Sequence, residues 1–485
     1  MSLEQQAPAT HYLSAIEVLE AFASQELNPA DYLNSLRARI ADLEPIVNAL
    51  TGEKLDVQTA LDDSAARYVA GTARALEGLP VVVKEAHAIA GHTETYGSPM
   101  LATNIAQSTS PIVERILEAG GIPFVRSTTP EFCIAGYTRS QMWGITRNPW
   151  NPEYSCGGSS GGSGAALAAG YAPLATGSDI GGSTRVPASF NGVVGYKPPF
   201  GRVPTVPGNY MDSYCTDGPM GRTVADVALM LNAIAGQHPF DHVSLPDTAP
   251  VVPNADLTGK RVAVALTLGD YAVEPEVAQA IADTEAWLVA AGAQIERVEI
   301  PLSSDMVVQT ALAHYGTSFI PWIEEEMGAD GIAAMEPYTR QAVELGNKAL
   351  AELGILGGPD NEAAIHEIFA KLFLNFDALV CPVSGIPAFK ADEYYESGID
   401  IQGTHYETHL AAMQTIPFNI ANRNPVLVVP VARSANNVPI GAQVVARPYD
   451  DATVFDVGAA LEAARGAWYK TAQHQPTTQT FQVAV

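Results

Sequence analysis

The sequence predicts an α/β fold in which helices cover both faces of a central β-sheet. Three observations carry that expectation. Short β-branched runs alternate with helix patterns along most of the chain. Several of these runs, Val426-Leu427-Val428-Val429 among them, are apolar at consecutive positions, which suits strands buried on both sides. The composition, 47% hydrophobic and 16% charged over 485 residues, is enough for a large core.

Residues 13–70 carry apolar positions at three- and four-residue spacing (Ile16, Leu19, Phe22; Leu33, Leu36, Ile40, Leu43) with a break at Asn28-Pro29, and read as a helical arm within residues 1–75. Strands are then expected at 79–83, 122–126, 173–176, 261–266, 378–380, 426–431 and 441–445, where β-branched residues lie between turn signals. Helices are expected at 112–119, 163–169, 224–234, 275–290 and 453–464. Residues 302–376 hold mostly helix patterns and read as a helical insertion or lid. No internal repeat or long linker divides the chain, so residues 1–485 are expected to form one domain, with residues 76–235 as its core.

A net charge of −27 repels polyanions and leaves no phosphate-neutralising surface, so nucleic acid is not an expected partner. Residues 1–20 are acidic without a continuous apolar stretch, and no run of about 18 apolar residues occurs, which leads to the expectation of a soluble, cytoplasmic protein without a membrane span. Cys133, Cys156, Cys215 and Cys381 lack disulfide or zinc-site spacing and are expected to be free thiols.

The chemistry is concentrated in two glycine-rich loops. One is Cys156-Gly157-Gly158-Ser159-Ser160-Gly161-Gly162-Ser163, and the other is Asp179-Ile180-Gly181-Gly182-Ser183-Thr184-Arg185. Glycines beside a serine let a substrate approach main-chain N–H groups closely. Gly157 to Gly161 fits G-x-S-x-G, the nucleophile elbow of α/β-hydrolases, with Ser159 as nucleophile and an aspartate and histidine downstream. That reading leaves the second loop unexplained. A phosphate loop lacks its lysine. Lys84 ends the apolar run Leu79-Pro80-Val81-Val82-Val83. A lysine acts as a base only as the neutral amine, and burial disfavours the ammonium form.

These segments together resemble the amidase signature family, whose catalytic group is a Ser-Ser-Lys triad. The resemblance rests on Leu79 to Glu85, Cys156 to Ala166 and Ser178 to Pro187, with 75 positions from Lys84 to Ser159 and 24 from Ser159 to Ser183. Weaker matches at Gly195 to Pro198, Gly218 to Thr223 and Pro439 to Gln443 extend it over roughly residues 60–465. It implies the family's fold, a central twisted mixed sheet covered by helices. It further implies Ser183 as nucleophile, Ser159 as a bridging serine after a cis peptide, and Lys84 as base. The backbone N–H groups of Ile180, Gly181, Gly182 and Ser183 would form the oxyanion hole, and Ser160, Asp179 and Arg185 would support the loops. No metal or cofactor is implied.

Some positions depart from the family's pattern. Cys156 stands where proline is common, and its plainest role is a small buried filler; Glu85 and Thr184 are mild replacements. His405 and His409 are spaced i, i+4 but lack a third marked ligand, so they read as a solvated helix or loop face. Ile134, Tyr137, Met142, Trp143, Tyr210 and Met211 are the expected pocket walls, suited to an aryl or long acyl group. The expected substrate is a small-molecule amide, anilide or carbamate, the last because the chain is distantly similar to bacterial aryl-carbamate-cleaving amidases (urethanases). Three alternatives stand beside this one: a subunit of a glutamine-hydrolysing amidotransferase, an esterase using Ser159, and a non-catalytic binding module. A homodimer is left open.

Overall fold

A computed structural model describes residues 9–206, 212–466, 468–470 and 475–476, and eleven of its strands pair into one mixed sheet. In chain order they are β1 (Leu50–Lys54), β2 (Pro80–Lys84), β3 (Ile122–Ser127), β4 (Leu174–Asp179), β5 (Val194–Lys197), β6 (Thr216–Gly221), β7 (Arg261–Val264), β8 (Gln294–Arg297), β9 (Ala378–Pro382), β10 (Val426–Arg433) and β11 (Pro439–Ala446). Across the sheet the order is β1-β3-β2-β4-β6-β5-β10-β11-β9-β7-β8. The pairs β2–β3, β2–β4, β7–β9 and β7–β8 are parallel, and the others are antiparallel.

Every residue of β2, β6, β9 and β11 is buried. Since successive side chains point to opposite faces, both faces of the sheet are covered. The helices are α1 (Ala15–Ala23), α2 (Pro29–Val47), α3 (Gln58–Ala70), α4 (Pro111–Glu118), α5 (Gly161–Ala169), α6 (Arg185–Asn191), α7 (Val224–Ile234), α8 (Pro275–Ala290), α9 (Ser304–Thr317), α10 (Ile320–Ala334), α11 (Pro337–Phe373) and α12 (Asp451–Arg465), of which α4 to α8 and α12 pack directly on sheet strands while α9, α10 and α11 pack on one another. Their ends follow local chemistry. Ser14 and Glu17 form a capping box at α1, and Asn28-Pro29, the break in the sequence pattern, supplies the N-cap and first residue of α2. Among the described residues no helix is long and apolar enough to cross a membrane.

Four sheet strands escaped the sequence reading. β1 interrupts the segment read as a helical arm and pairs antiparallel with β3, which makes that segment part of the sheet. Its sequence, Leu-Thr-Gly-Glu-Lys, carries no alternating apolar pattern because it lies at the edge. β5 and β6 are rich in glycine and polar residues, and β6 holds Pro219 in the sheet interior, against the usual exclusion of proline there. β8, Gln-Ile-Glu-Arg, is the opposite edge.

The topology brings the two glycine-rich loops and Lys84 together. β2 and β4 run parallel with Val82 opposite Ala175, so their C-terminal ends, Lys84 and Ser178-Asp179, emerge side by side. Ser159 lies just before α5 and Ser183 just before α6. α5 can sit close to its neighbours because its residues are small; a Cβ on Gly161 would lie 2.2 Å from Thr138 Oγ1.

Candidate active site

Lys84 is fully buried, and its Nζ donates to Ser159 Oγ and Ser178 Oγ, each at 2.8 Å. Its backbone N–H donates to Thr176 Oγ1 at 2.9 Å, which ties the end of β2 to β4. Among the described residues no carboxylate lies within ion-pair distance of the amine. Ser178 stood inside a recognised motif but received no role from the sequence. Its hydroxyl is visible as an amine partner only once β2 and β4 are paired.

The Gly158–Ser159 peptide is cis. A Cβ on Gly158 would lie 2.4 Å from Ala135 O, so this passage admits only glycine. Ser160 ties the two loops together: its N–H donates to Ser183 O at 2.9 Å, and its hydroxyl accepts from Ser178 N–H at 3.2 Å. Ser183 is 6% exposed and faces a cavity, and its hydroxyl has no hydrogen-bond partner among the described residues. Of the three side chains expected to form the relay, Lys84 and Ser159 are therefore hydrogen-bonded, while Ser159 and Ser183 are not. Hydrogen bonds of this kind commonly tighten only with substrate in place.

Asp179 and Arg185 hold the second loop. Arg185 Nε and Nη2 donate to the two Asp179 oxygens at 3.0 and 2.9 Å, and Asn419 Nδ2 adds a bond of 2.9 Å. Burial alone would push the Asp179 carboxyl up, but Arg185 and Asn419 hold it well below the usual carboxylate range. The same carboxylate accepts from Gly182 N–H at 2.8 Å and Thr184 N–H at 3.1 Å. This corrects one expectation: the Gly182 amide is committed to Asp179 and is not free for an oxyanion. The N–H groups of Ile180, Gly181 and Ser183 have no intramolecular acceptor among the described residues.

The cavity beside Ser183 has a volume of about 760 Å³. Ile134 lines it as expected, but Tyr137, Met142 and Trp143 do not. Tyr137 is buried in an aromatic cluster with Tyr338, Phe389 and Tyr395, and Met142-Trp143 form the turn between the short strands Arg139–Ser140 and Gly144–Ile145. Tyr210 and Met211 lie outside the described residues. The aromatic wall comes instead from Tyr96, Phe132, Phe319 and Trp322, with Trp322 edge-on to Tyr96 and Phe132 at 6.2 and 5.9 Å between ring centroids. Phe319 and Trp322 belong to residues 302–376, whose pattern showed helices but not what they face.

Two imidazole–carboxylate pairs also line the cavity: His87 Nε2 to Asp217 Oδ1 at 3.0 Å and His314 Nε2 to Asp212 Oδ1 at 2.9 Å. Neither was foreseen, because each joins distant segments. His409 lines the cavity too and is buried, against the solvated face expected of it. It accepts from Gly136 N–H at 3.2 Å, and burial pushes the imidazole down to about 4, so it is neutral above that pH. His405 is exposed on a separate hairpin and pairs with Asp400 at 2.9 Å. Among the described residues no group of three or more His, Cys, Asp or Glu side chains converges to hold a metal. All four cysteines are free, and burial pushes the Cys156 thiol up to about 12.

The chain is similar to known proteins along almost its whole length. The sequence model described as Amidase matches residues 31–455. An acylamidase of Rhodococcus erythropolis is 32% identical over 472 residues, covering 94% of this chain and 96% of that protein. A glutamyl-tRNA(Gln) amidotransferase subunit from Thermosynechococcus vestitus is also 32% identical, over 478 residues, covering 92% and 96%. Among solved structures, a bacterial aryl acylamidase of the amidase signature enzymes superposes with a TM-score of 0.84 at 22% identity, covering 94% of this chain and 96% of that one. A 6-aminohexanoate cyclic dimer hydrolase bound to its substrate gives 0.82 at 25%, covering 96% and 99%.

Proposed function

The chain belongs to the amidase signature family and is an amidase, and on that premise we propose a stand-alone hydrolase that cleaves amides, anilides or carbamates of apolar or aryl small molecules through an acyl-Ser183 intermediate. The observation that carries the reading is the buried Lys84 Nζ–Ser159 Oγ hydrogen bond of 2.8 Å, next to a serine hydroxyl that faces the cavity among free amides.

In the proposed cycle, neutral Lys84 takes the proton of Ser159 as Ser159 takes that of Ser183, and Ser183 Oγ bonds to the carbonyl carbon. The carbonyl π electrons move to oxygen, and the free N–H groups beside Ser183 stabilise the resulting charge. Collapse re-forms the carbonyl and breaks the C–N bond. The leaving nitrogen takes a proton from Ser159, which recovers one from Lys84. Water repeats the sequence on the acyl-enzyme, releasing the acid and restoring Ser183.

The glutamine-hydrolysing alternative needs a cation for the substrate's α-carboxylate. The described lining carries Asp212 and Asp217 as its charged residues, with no arginine or lysine, which favours a neutral or cationic acyl group. The esterase alternative needs a histidine on Ser159, whereas the hydrogen-bond partner of that hydroxyl is Lys84.

Intact-mass analysis with a slow aryl ester or a fluorophosphonate tests the reading. The expected result is a single adduct mapped to Ser183 and absent from Ser183→Ala, which also loses turnover; an adduct on Ser159 would overturn it.

A further inference from the structure

The free amides beside Ser183 are useful only if they point at the reacting oxygen, and the structure anchors each of the three successive peptide planes between Ile180 and Ser183. A trans peptide is planar, so its C=O and N–H point in opposite directions and fixing one aims the other. The plane carrying Ser183 N–H is held through Gly182 O, which accepts from Val186 N–H at 2.7 Å in the first turn of α6. The plane carrying Gly182 N–H is held at both ends, by Thr415 Oγ1 donating to Gly181 O at 2.6 Å and by Asp179 accepting the amide. The plane carrying Gly181 N–H is held through Ile180 O, which accepts from the Tyr315 hydroxyl at 3.2 Å.

Tyr315 differs from the other anchors in origin, for it arrives from α9, in the helical layer over the cavity, 135 residues from its partner. It lines the same cavity as Ser183 and is 8% exposed. Its hydroxyl comes so close to the loop that a Cβ on residue 181 would lie 2.9 Å away, which gives Gly181 a second reason to be glycine. Burial raises the phenol well above its ordinary value, so the hydroxyl keeps its proton and remains a donor over the working pH range. With the Gly182 amide committed to Asp179, the Gly181 amide is one of the few donors left.

We infer that Tyr315 is a positioning residue for the oxyanion hole: its hydroxyl fixes the Ile180–Gly181 peptide and so aims the Gly181 N–H at the developing negative oxygen. The helical layer thereby sets catalytic competence as well as the cavity wall. This inference rests on the proposed acyl-Ser183 chemistry, and its test is separable from the test of that chemistry. A group acting through the oxyanion affects the tetrahedral state and leaves ground-state binding alone.

The test is Tyr315→Phe, which keeps the ring and removes the hydroxyl. On an anilide substrate, kcat is expected to fall about tenfold or more with KM within about twofold, given that loss of a whole oxyanion donor costs ~100- to 1,000-fold. An aryl trifluoromethyl ketone, which forms a tetrahedral adduct, should bind more weakly by a similar factor, while the product carboxylic acid binds as before. Unchanged kcat, or equal weakening of ketone and product acid, would overturn the inference and leave Tyr315 as cavity wall. An unchanged far-UV and near-UV circular dichroism spectrum establishes that the variant is folded; if it is not, Tyr315→Trp, which keeps an N–H donor and ring bulk, must retain the ketone-to-acid affinity ratio within threefold, and a larger drop overturns the inference. A wild-type adduct on Ser159 in the labelling experiment would instead remove the chemistry on which it rests.

Discussion

At the scale of the residue, Lys84 shows how position changes what a side chain can do. A lysine at a strand end is ordinarily solvated. Here the end of β2 meets the end of β4, and the amine is enclosed between the hydroxyls of Ser159 and Ser178, with no carboxylate within ion-pair distance among the described residues. A proton relay through this amine matters in proportion to how poor the leaving group is, because an amine must be protonated as it departs and a phenolate need not be. Lys84→Ala is therefore expected to lower kcat/KM for an anilide by about 100-fold or more, within the usual range for general acid–base catalysis, and to lower it distinctly less for the aryl ester of the same acid. Parallel kcat/KM measurements on the two substrates decide the matter, and equal losses would speak against a relay. The family's three motif positions could be found in the sequence because each is embedded in a long, specific glycine-serine context. Ser178, Tyr315 and Thr415 could not, since a lone hydroxyl has no local pattern and its partner becomes visible only through the fold.

Among the elements, strands that are apolar and deeply buried were readable and edge or glycine-rich strands were not. The expected segments at 426–431 and 441–445 lie within β10 and β11, whose consecutive valines reflect burial on both faces. β1 left no such trace, and what holds it in place is partly one carboxyl: Glu44, near the end of α2, accepts the Leu50 N–H at 2.7 Å. Burial pushes Glu44 from an ordinary 4.5 up to about 7. The folded state thus binds this proton more tightly than the unfolded chain does. Its contribution to stability is complete below about pH 4.5 and is lost as pH rises through about 7. Glu44→Gln keeps an acceptor for Leu50 without a charge to bury. It should leave stability near pH 4 unchanged and raise it at pH 8 by about 1 to 3 kcal/mol, seen as a flatter dependence of Tm on pH. Glu462, also pushed up to about 7 by burial, adds a slope of the same sign that the variant retains. A Tm lowered equally at both pH values would mean that the hydrogen bond, rather than the buried charge, dominates at this site.

The molecule as a whole carries a formal charge of −27, and two of the carboxylates in that total, Asp212 and Asp217, line the cavity that Ser183 faces. A field of that sign concentrates cations at the cavity mouth and repels anions, most strongly at low salt, where the screening length exceeds the ~10 Å found at 0.1 M. Three aryl amides of equal size, with a trimethylammonium, a neutral or a carboxylate substituent on the acyl group, separate this effect from fit. On raising NaCl from about 20 to 300 mM, kcat/KM should fall several-fold for the cation, rise several-fold for the anion and hold steady for the neutral compound. The local and global contributions can be told apart as well. Asp212 Oδ1 is bonded to His314 and to Tyr214 N–H, both at 2.9 Å, whereas its other oxygen has no partner among the described residues and is available to a bound cation. Asp212→Asn should therefore reduce the preference for the cationic substrate at high salt, where only short-range charge survives, while leaving the salt slope close to that of the wild type. If the carboxylate substrate were the best of the three at low salt, a cation would have to face the bound acyl group, and the glutamine-hydrolysing alternative would become the better account of this site.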